Sequence, residues 1–310
     1  MPVKPSQLQK ALQIVLSAGV AIGVIFAGCF YGRELLALLK TVNPFWLFAG
    51  LTSYAVNYLL RAIRLFFLSS KRVPLWPEGL HATCLHGFAT YMLPFRSGEL
   101  TLPITLKATT DLNLTLSSQI LIRARLLDIQ VLGLITTLSA LFADVMISQM
   151  MKVVWLAMGL VMLFTPMMIH YIANFSRKSS IRWLQRLSRF GVRDQFRISE
   201  YIISLAIWIA VAGCFYFAAH AIGLPLNPIQ VWLLVTLQLP LQLVPLQGFA
   251  NAGNHEGGWI AGLVLLGVPA STAFEISLAT HTILLAYVLV LGPAALITGR
   301  FINRRTNIKA

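Results

Sequence analysis

Arg96 and Glu99 stand three residues apart in the run Leu93-Pro94-Phe95-Arg96-Ser97-Gly98-Glu99, which interrupts otherwise apolar sequence. A guanidinium can grip a phosphate with paired N–H donors. A carboxylate can take up an amine, a cation or a proton. The same two side chains can also pair with each other and brace a turn. A second polar concentration, Asn251, Asn254, His255 and Glu256, follows Pro245 far down the chain. Arg123, Arg125 and Asp128 lie between the two. Arg125 and Asp128 share a helix face at i, i+3, as an intrahelical ion pair or as part of the charge network of the first run. Arg61 and Arg64 close an early apolar segment, and His281 stands inside the last one. His281 is either a hydrogen-bonded core residue or a member of a proton-linked site.

Other chemistries find no footing. His255-Glu256 begins a metallohydrolase pattern but runs on as Gly257-Gly258-Trp259, without the second histidine. His81 and His86 are five residues apart and no cysteine or carboxylate completes a zinc set. No metal and no cofactor are expected. Cys29, Cys84 and Cys214 are scattered through apolar sequence and read as small buried hydrophobes. Nucleophile elbow, Walker loop and dinucleotide fingerprint are all missing, which argues against an ATP-driven pump within this chain.

The elements that must position these residues are set by composition. Of 310 residues, 57% are hydrophobic and 11% charged, where a soluble domain carries about a quarter charged. The chain reads as an integral membrane protein. Lys+Arg is 24 against Asp+Glu 10, a formal charge of +14. That excess sits in loops and at segment ends, so it speaks for topology and anionic lipid rather than nucleic acid. No cleavable signal peptide is evident.

A span needs about 20 residues at about 1.5 Å each. Segments 11–30, 44–68, 116–142, 152–173, 201–222 and 273–297 qualify. The stretches 76–107 and 228–268 hold apolar pieces too short to span, parted by the polar runs. Backbone broken at membrane depth must face protein or a watery cavity, so both stretches are expected as re-entrant hairpins. Residues 174–200 carry Arg182, Arg186, Arg189 and Arg193 on one helical face, a basic amphipathic connection expected on the cytoplasmic leaflet. The basic ends place both termini in the cytoplasm.

The expected fold is therefore an all-α polytopic membrane protein, a single membrane domain over 1–310, with about six full spans plus two broken re-entrant hairpins. Residues 44–142 and 201–297 each read span, hairpin, span, from opposite sides of the membrane. That pattern points to an inverted repeat with a site near the midplane.

The motifs themselves resemble the lysylphosphatidylglycerol synthase transmembrane-region family. Met92-Leu93-Pro94-Phe95-Arg96-Ser97-Gly98-Glu99 is similar to its proline–glycine–glutamate break. Ile122-Arg123-Ala124-Arg125-Leu126-Leu127-Asp128 is similar to its glutamate-arginine-hydrophobic-hydrophobic-aspartate segment. Arg61 and Arg64 resemble its early arginine pair. Residues 245–256 and then Leu265-Leu266-Gly267-Val268-Pro269 resemble its later proline- and glycine-rich segment. The similarity covers residues 44–297. Ala124 departs from the usual glutamate, Gln247 and Gly248 from a compact double glycine, and His281 from a common arginine.

The resemblance implies a lipid translocase or accessory protein, a stand-alone member without the synthase domain and so without lysyl transfer. The expected function is flippase-like movement of a phospholipid or lipid-linked headgroup between leaflets. The alternative is a membrane enzyme or accessory subunit acting on lipid-linked phosphates or sugars, disfavoured because no clear nucleophile joins Arg96, Glu99 and His255. Expected substrate contacts are Arg96, Glu99, Arg125, Asp128, Asn254, His255 and Glu256, with Arg61, Arg64, Arg123 and His281 in secondary roles. Arg96 and Arg125 would meet phosphate, and Glu99 and Glu256 an amine or a coupling proton. The expected setting is the bacterial cytoplasmic (inner) membrane. Expected partners are membrane lipids, anionic or bearing a lipid-linked phosphate, and a lipid-biosynthetic enzyme.

Overall fold

The computed structural model describes residues 32–142, 148–177, 197–243, 247–295 and 297–301. The expected first span, 11–30, and the arginine face at 182–193 lie outside the described residues. Every regular element among the described residues is helical. In chain order these are α1 (Gly32–Lys40), α2 (Pro44–Leu68), α3 (Leu80–Met92), α4 (Thr101–Thr109), α5 (Leu114–Phe142), α6 (Gln149–Arg177), α7 (Ile198–Ala221), α8 (Pro228–Leu243), α9 (Asn254–Leu265) and α10 (Ala270–Leu291).

The protein is an all-α polytopic membrane protein. Among the described residues, α5, α6, α7 and α10 are long and apolar enough to cross a bilayer. Helix α2 has 25 residues, also the length of a span, and carries Arg61 and Arg64 toward its end. Helix α1 is an element that hydropathy did not announce. Its nine residues, Gly-Arg-Glu-Leu-Leu-Ala-Leu-Leu-Lys, combine strong helix formers with a terminal lysine that suits the helix dipole.

One order of elements occurs twice. Helices α2, α3, α4 and α5 run long, short, short, long, with a break between the short pair at Pro94–Leu100. Helices α7, α8, α9 and α10 run the same way, with the break at Phe249–Asn251. The breaks are alike in detail. Phe95 and Arg96 are both left-handed (φ 58° and 55°), as are Ala250 and Asn251 (φ 53° and 64°). In each case the second left-handed residue is followed, two positions on, by a glycine, Gly98 or Gly253.

By contact the described chain divides into two compact units. The first comprises the described residues up to Ala55 with Cys84–Thr101 and Ala212–Leu296. The second comprises Val56–Thr83, Leu102–Val211 and the described residues from Ile297. In the first, the Asn43 N–H donates to the Ala221 carbonyl (2.8 Å) and the Tyr287 hydroxyl donates to the Leu47 carbonyl (2.8 Å). Trp46 stacks on Phe217 at 5.8 Å. These contacts tie the start of α2 to α7 and α10.

In the second unit, Leu65, Leu68, Leu102, Leu106, Ile120 and Leu127 bury one another in a common core. Helix α5 is 67% buried over its span and α6 only 17%. Val153, Val154, Val161, Phe164, Met167 and Met168 of α6 are exposed, an apolar flank suited to hydrocarbon. Helices α5 and α6 meet at small residues, as helices in lipid do. A Cβ on Gly133 would run into the Leu163 backbone and come within 2.8 Å of the Gly159 carbonyl oxygen. Gly133→Val is therefore expected to overpack this crossing by about 1–3 kcal/mol, read as a lower midpoint of thermal unfolding in detergent. Leu138→Val, at an exposed position of the same helix, is the control and should change the midpoint little.

Candidate functional site

The polar residues singled out above form one cluster in each unit. In the second unit the centre is Asp128, 3% exposed. Arg64 faces it as a fork, Nη1 at 2.5 Å from Oδ1 and Nη2 at 3.4 Å from Oδ2. Arg125, one turn earlier on α5, donates to Oδ2 at 3.1 Å. The Trp208 indole N–H donates to Oδ1 at 3.1 Å, and Arg64 Nη1 also donates to Ser204 Oγ at 3.1 Å.

Arg61, one turn before Arg64, donates from Nε to Asn57 Oδ1 at 2.9 Å. It interacts electrostatically with Asp128, Arg64 and Arg125. Three guanidinium groups thus converge on one carboxylate. Arg123 lies at 3.4 Å from Glu200, whose Oε2 also accepts the Arg197 backbone N–H at 3.1 Å. Arg123 is therefore engaged with α7, apart from the Asp128 fork.

Ser204, Trp208 and Glu200 were not anticipated as partners. Their signal is a stripe at four-residue spacing along α7, one helical face. Only the knowledge that buried charges must be paired would have joined that stripe to α2 and α5.

In the first unit the two breaks touch. Pro94 can supply no N–H and pushes Leu93 into extended backbone (φ −86°, ψ 138°), which ends α3. The last carbonyls of a helix then lack partners. Gln247 supplies one: its Nε2 donates to the Thr90 carbonyl at 3.0 Å and reaches the Tyr91 carbonyl at 3.5 Å. The Phe95 N–H donates to the Gln247 carbonyl at 3.0 Å. Gly98 packs so close to the Ala89–Thr90 backbone that a Cβ would overlap it. Arg96 Nη2 donates to Glu99 Oε1 at 3.0 Å, and His86 Nε2 lies 3.8 Å from Glu99 Oε2. These side chains stay partly open, Arg96 27% and Glu99 20% exposed.

The second break is more deeply buried. Glu256, 3% exposed, accepts the Gly253 N–H on Oε2 at 2.8 Å and pairs through Oε1 with His281 Nδ1. His281 Nε2 donates to the carbonyl of left-handed Ala250 at 2.7 Å. His255 Nε2 meets Thr280 Oγ1 at 3.0 Å, and its ring stacks on Trp259 at 5.4 Å. Asn254 Nδ2 donates to Asn251 Oδ1 at 3.0 Å. His281 thus belongs with Glu256 and Asn254–His255, while Arg96 and Glu99 join them through the backbone contact of the breaks. Each left-handed non-glycine residue costs about 1–2 kcal/mol, and such strain persists where the surroundings over-determine it, commonly at functional sites.

The fold and these charge clusters define an integral membrane protein that keeps ionised groups inside a helical bundle. Residues 11–292, nearly the whole chain, match the family described as Lysylphosphatidylglycerol synthase TM region, and the protein belongs to that family. No curated protein and no solved structure matches it.

Removing one partner of a buried ion pair leaves the other uncompensated, at about 3–5 kcal/mol. Asp128→Leu is expected to destabilise by that amount. Adding Arg64→Met to it should recover part of the loss, because the buried guanidinium that faces Asp128 as a fork is removed as well, while the partly exposed Arg125 can turn toward water. Thermal unfolding of the single and double variants in detergent checks both steps.

Proposed function

We infer that this protein is a lipid translocase, moving a phospholipid or lipid-linked headgroup between leaflets along polar side chains while the acyl chains stay in hydrocarbon. The gathering of arginines around Asp128 carries the reading. Arg61, Arg64 and Arg125 converge on Asp128, a concentration of guanidinium donors of the kind that recognises phosphate. The Arg125 side chain is 30% exposed, and the only hydrogen bond of Arg61 among the described residues uses Nε. Both guanidinium groups can therefore turn donors toward a phosphate, for which the planar fork is suited.

Arg96 and Glu99 fit the two ends of a zwitterionic headgroup, phosphate on Arg96 and amine on Glu99. Asn254, His255 and Glu256 form the buried part of the same polar set. The recurring order of elements and the matched left-handed breaks support an inverted repeat over 44–142 and 201–297, an arrangement that frames midplane sites in transporters. The basic segment ends support a bacterial cytoplasmic membrane setting with both termini in the cytoplasm. Membrane lipids are the proposed ligands, and a lipid-biosynthetic enzyme is the proposed partner class.

In proteoliposomes, Arg61→Gln combined with Arg125→Gln should slow transbilayer transfer of a fluorescent anionic phospholipid by about tenfold or more, a barrier change of about 1.4 kcal/mol. A zwitterionic analogue should be slowed less. Quenching of outer-leaflet fluorescence reads the rate. Unchanged anionic-lipid transfer would overturn the reading, and headgroup release from the lipid by the purified protein would assign the site to an enzyme instead.

A further inference from the structure

We propose that Glu256 and His281 form a binding site for one proton, and that this proton latches the 249–253 segment to α10. The argument is a count of hydrogens. The Ala250 carbonyl can only accept, so His281 Nε2, 2.7 Å away, must carry hydrogen to bond it. The Glu256 Oε2 atom is already used, accepting the Gly253 N–H. The contact between Glu256 Oε1 and His281 Nδ1 therefore needs one more hydrogen, held by either atom. With it, both bonds of the imidazole form and the pair is neutral, as carboxylate with imidazolium or as carboxylic acid with imidazole.

Without it, one N–H must serve two acceptors. The carboxylate is the stronger acceptor, so that hydrogen stays on Nδ1. Nε2 then presents a lone pair to the Ala250 carbonyl, and the latch opens. What it releases is strained: Ala250 and Asn251 are both left-handed, and Ala250 is only half-buried, so its carbonyl can turn to another donor.

The surroundings make this pair the centre of the linkage. Helix α9 brings Glu256 and His255, whose ring lies 5.0 Å from His281. His255 Nε2 faces Thr280 Oγ1, whose hydrogen is directed to the Ile276 or Ser277 carbonyl, so His255 donates there and is held as a neighbour. Helix α3 brings the Tyr91 ring, 6.0 Å away and edge-on. Helix α1 also packs on α10, and its Arg33 and Lys40 are exposed. Helix α2 brings Tyr54, which meets Tyr287 farther along α10.

The inference rests on the geometry of this unit and stands apart from the translocase reading, so its test uses no transport. The full chain in lipid nanodiscs, without added substrate, is followed by hydrogen–deuterium exchange at 248–253, corrected for the intrinsic pH dependence. In the wild-type protein, protection should fall by about tenfold between about pH 5 and pH 9 as the histidine–carboxylate pair loses its proton. Glu256→Gln should keep high protection at both pH values, because the amide can donate to Nδ1 and still accept the Gly253 N–H. His281→Phe should show low protection throughout. Wild-type protection that does not change with pH, Glu256→Gln titrating like the wild type, or His281→Phe staying protected would each overturn the proposal.

Discussion

A carboxylate cannot sit ionised in a bundle of apolar helices unless donors surround it, and Asp128 meets that demand with three. The Arg64 fork, the Arg125 guanidinium and the Trp208 indole draw α2, α5 and α7 onto one point. Ion pairs of this kind add little net stability over well-packed hydrophobes. The register of three long helices is tied to a single side chain: sliding α2 or α5 strands a charge, and sliding α7 withdraws the indole donor. Arg61 adds a third guanidinium to the surroundings of the same carboxylate.

The first unit answers a different demand by similar means. Two helix breaks free backbone groups that lipid cannot satisfy. The protein sets the breaks against each other, so that Gln247 caps the carbonyls of α3 and the Phe95 N–H finds the Gln247 carbonyl. Glutamates then finish each turn. Glu99 engages Arg96 and lies near His86, and Glu256 holds the first turn of α9 while binding His281. The first arrangement is partly open and the second closed.

Much of the fold was legible in the chain. Low charge content and long apolar runs demanded a polytopic helical protein, and proline and glycine beside charged residues marked where helices stop. The pairing of Arg125 with Asp128 could be read directly, because i, i+3 neighbours on a helix must meet. The roles of Gln247, Ser204 and Trp208 could not. Each lies far along the chain from its partner, and a single polar residue on an apolar helix carries no mark of what it faces. His281 was ambiguous for the same reason: a histidine inside a span is core or site according to its neighbours.

The sequence by itself determined the long helices, the breaks and the membrane setting, since periodicity, hydropathy and backbone chemistry are local properties. Family membership over residues 11–292 also rests on sequence alone. Tertiary structure decided which charges neutralise each other. It gave Asp128 to Arg64 as well as Arg125, Glu200 to Arg123, and Glu256 to His281. Such pairings depend on which helices pack side by side and in what register, and the electrostatic need of a buried charge names a kind of partner without naming its position.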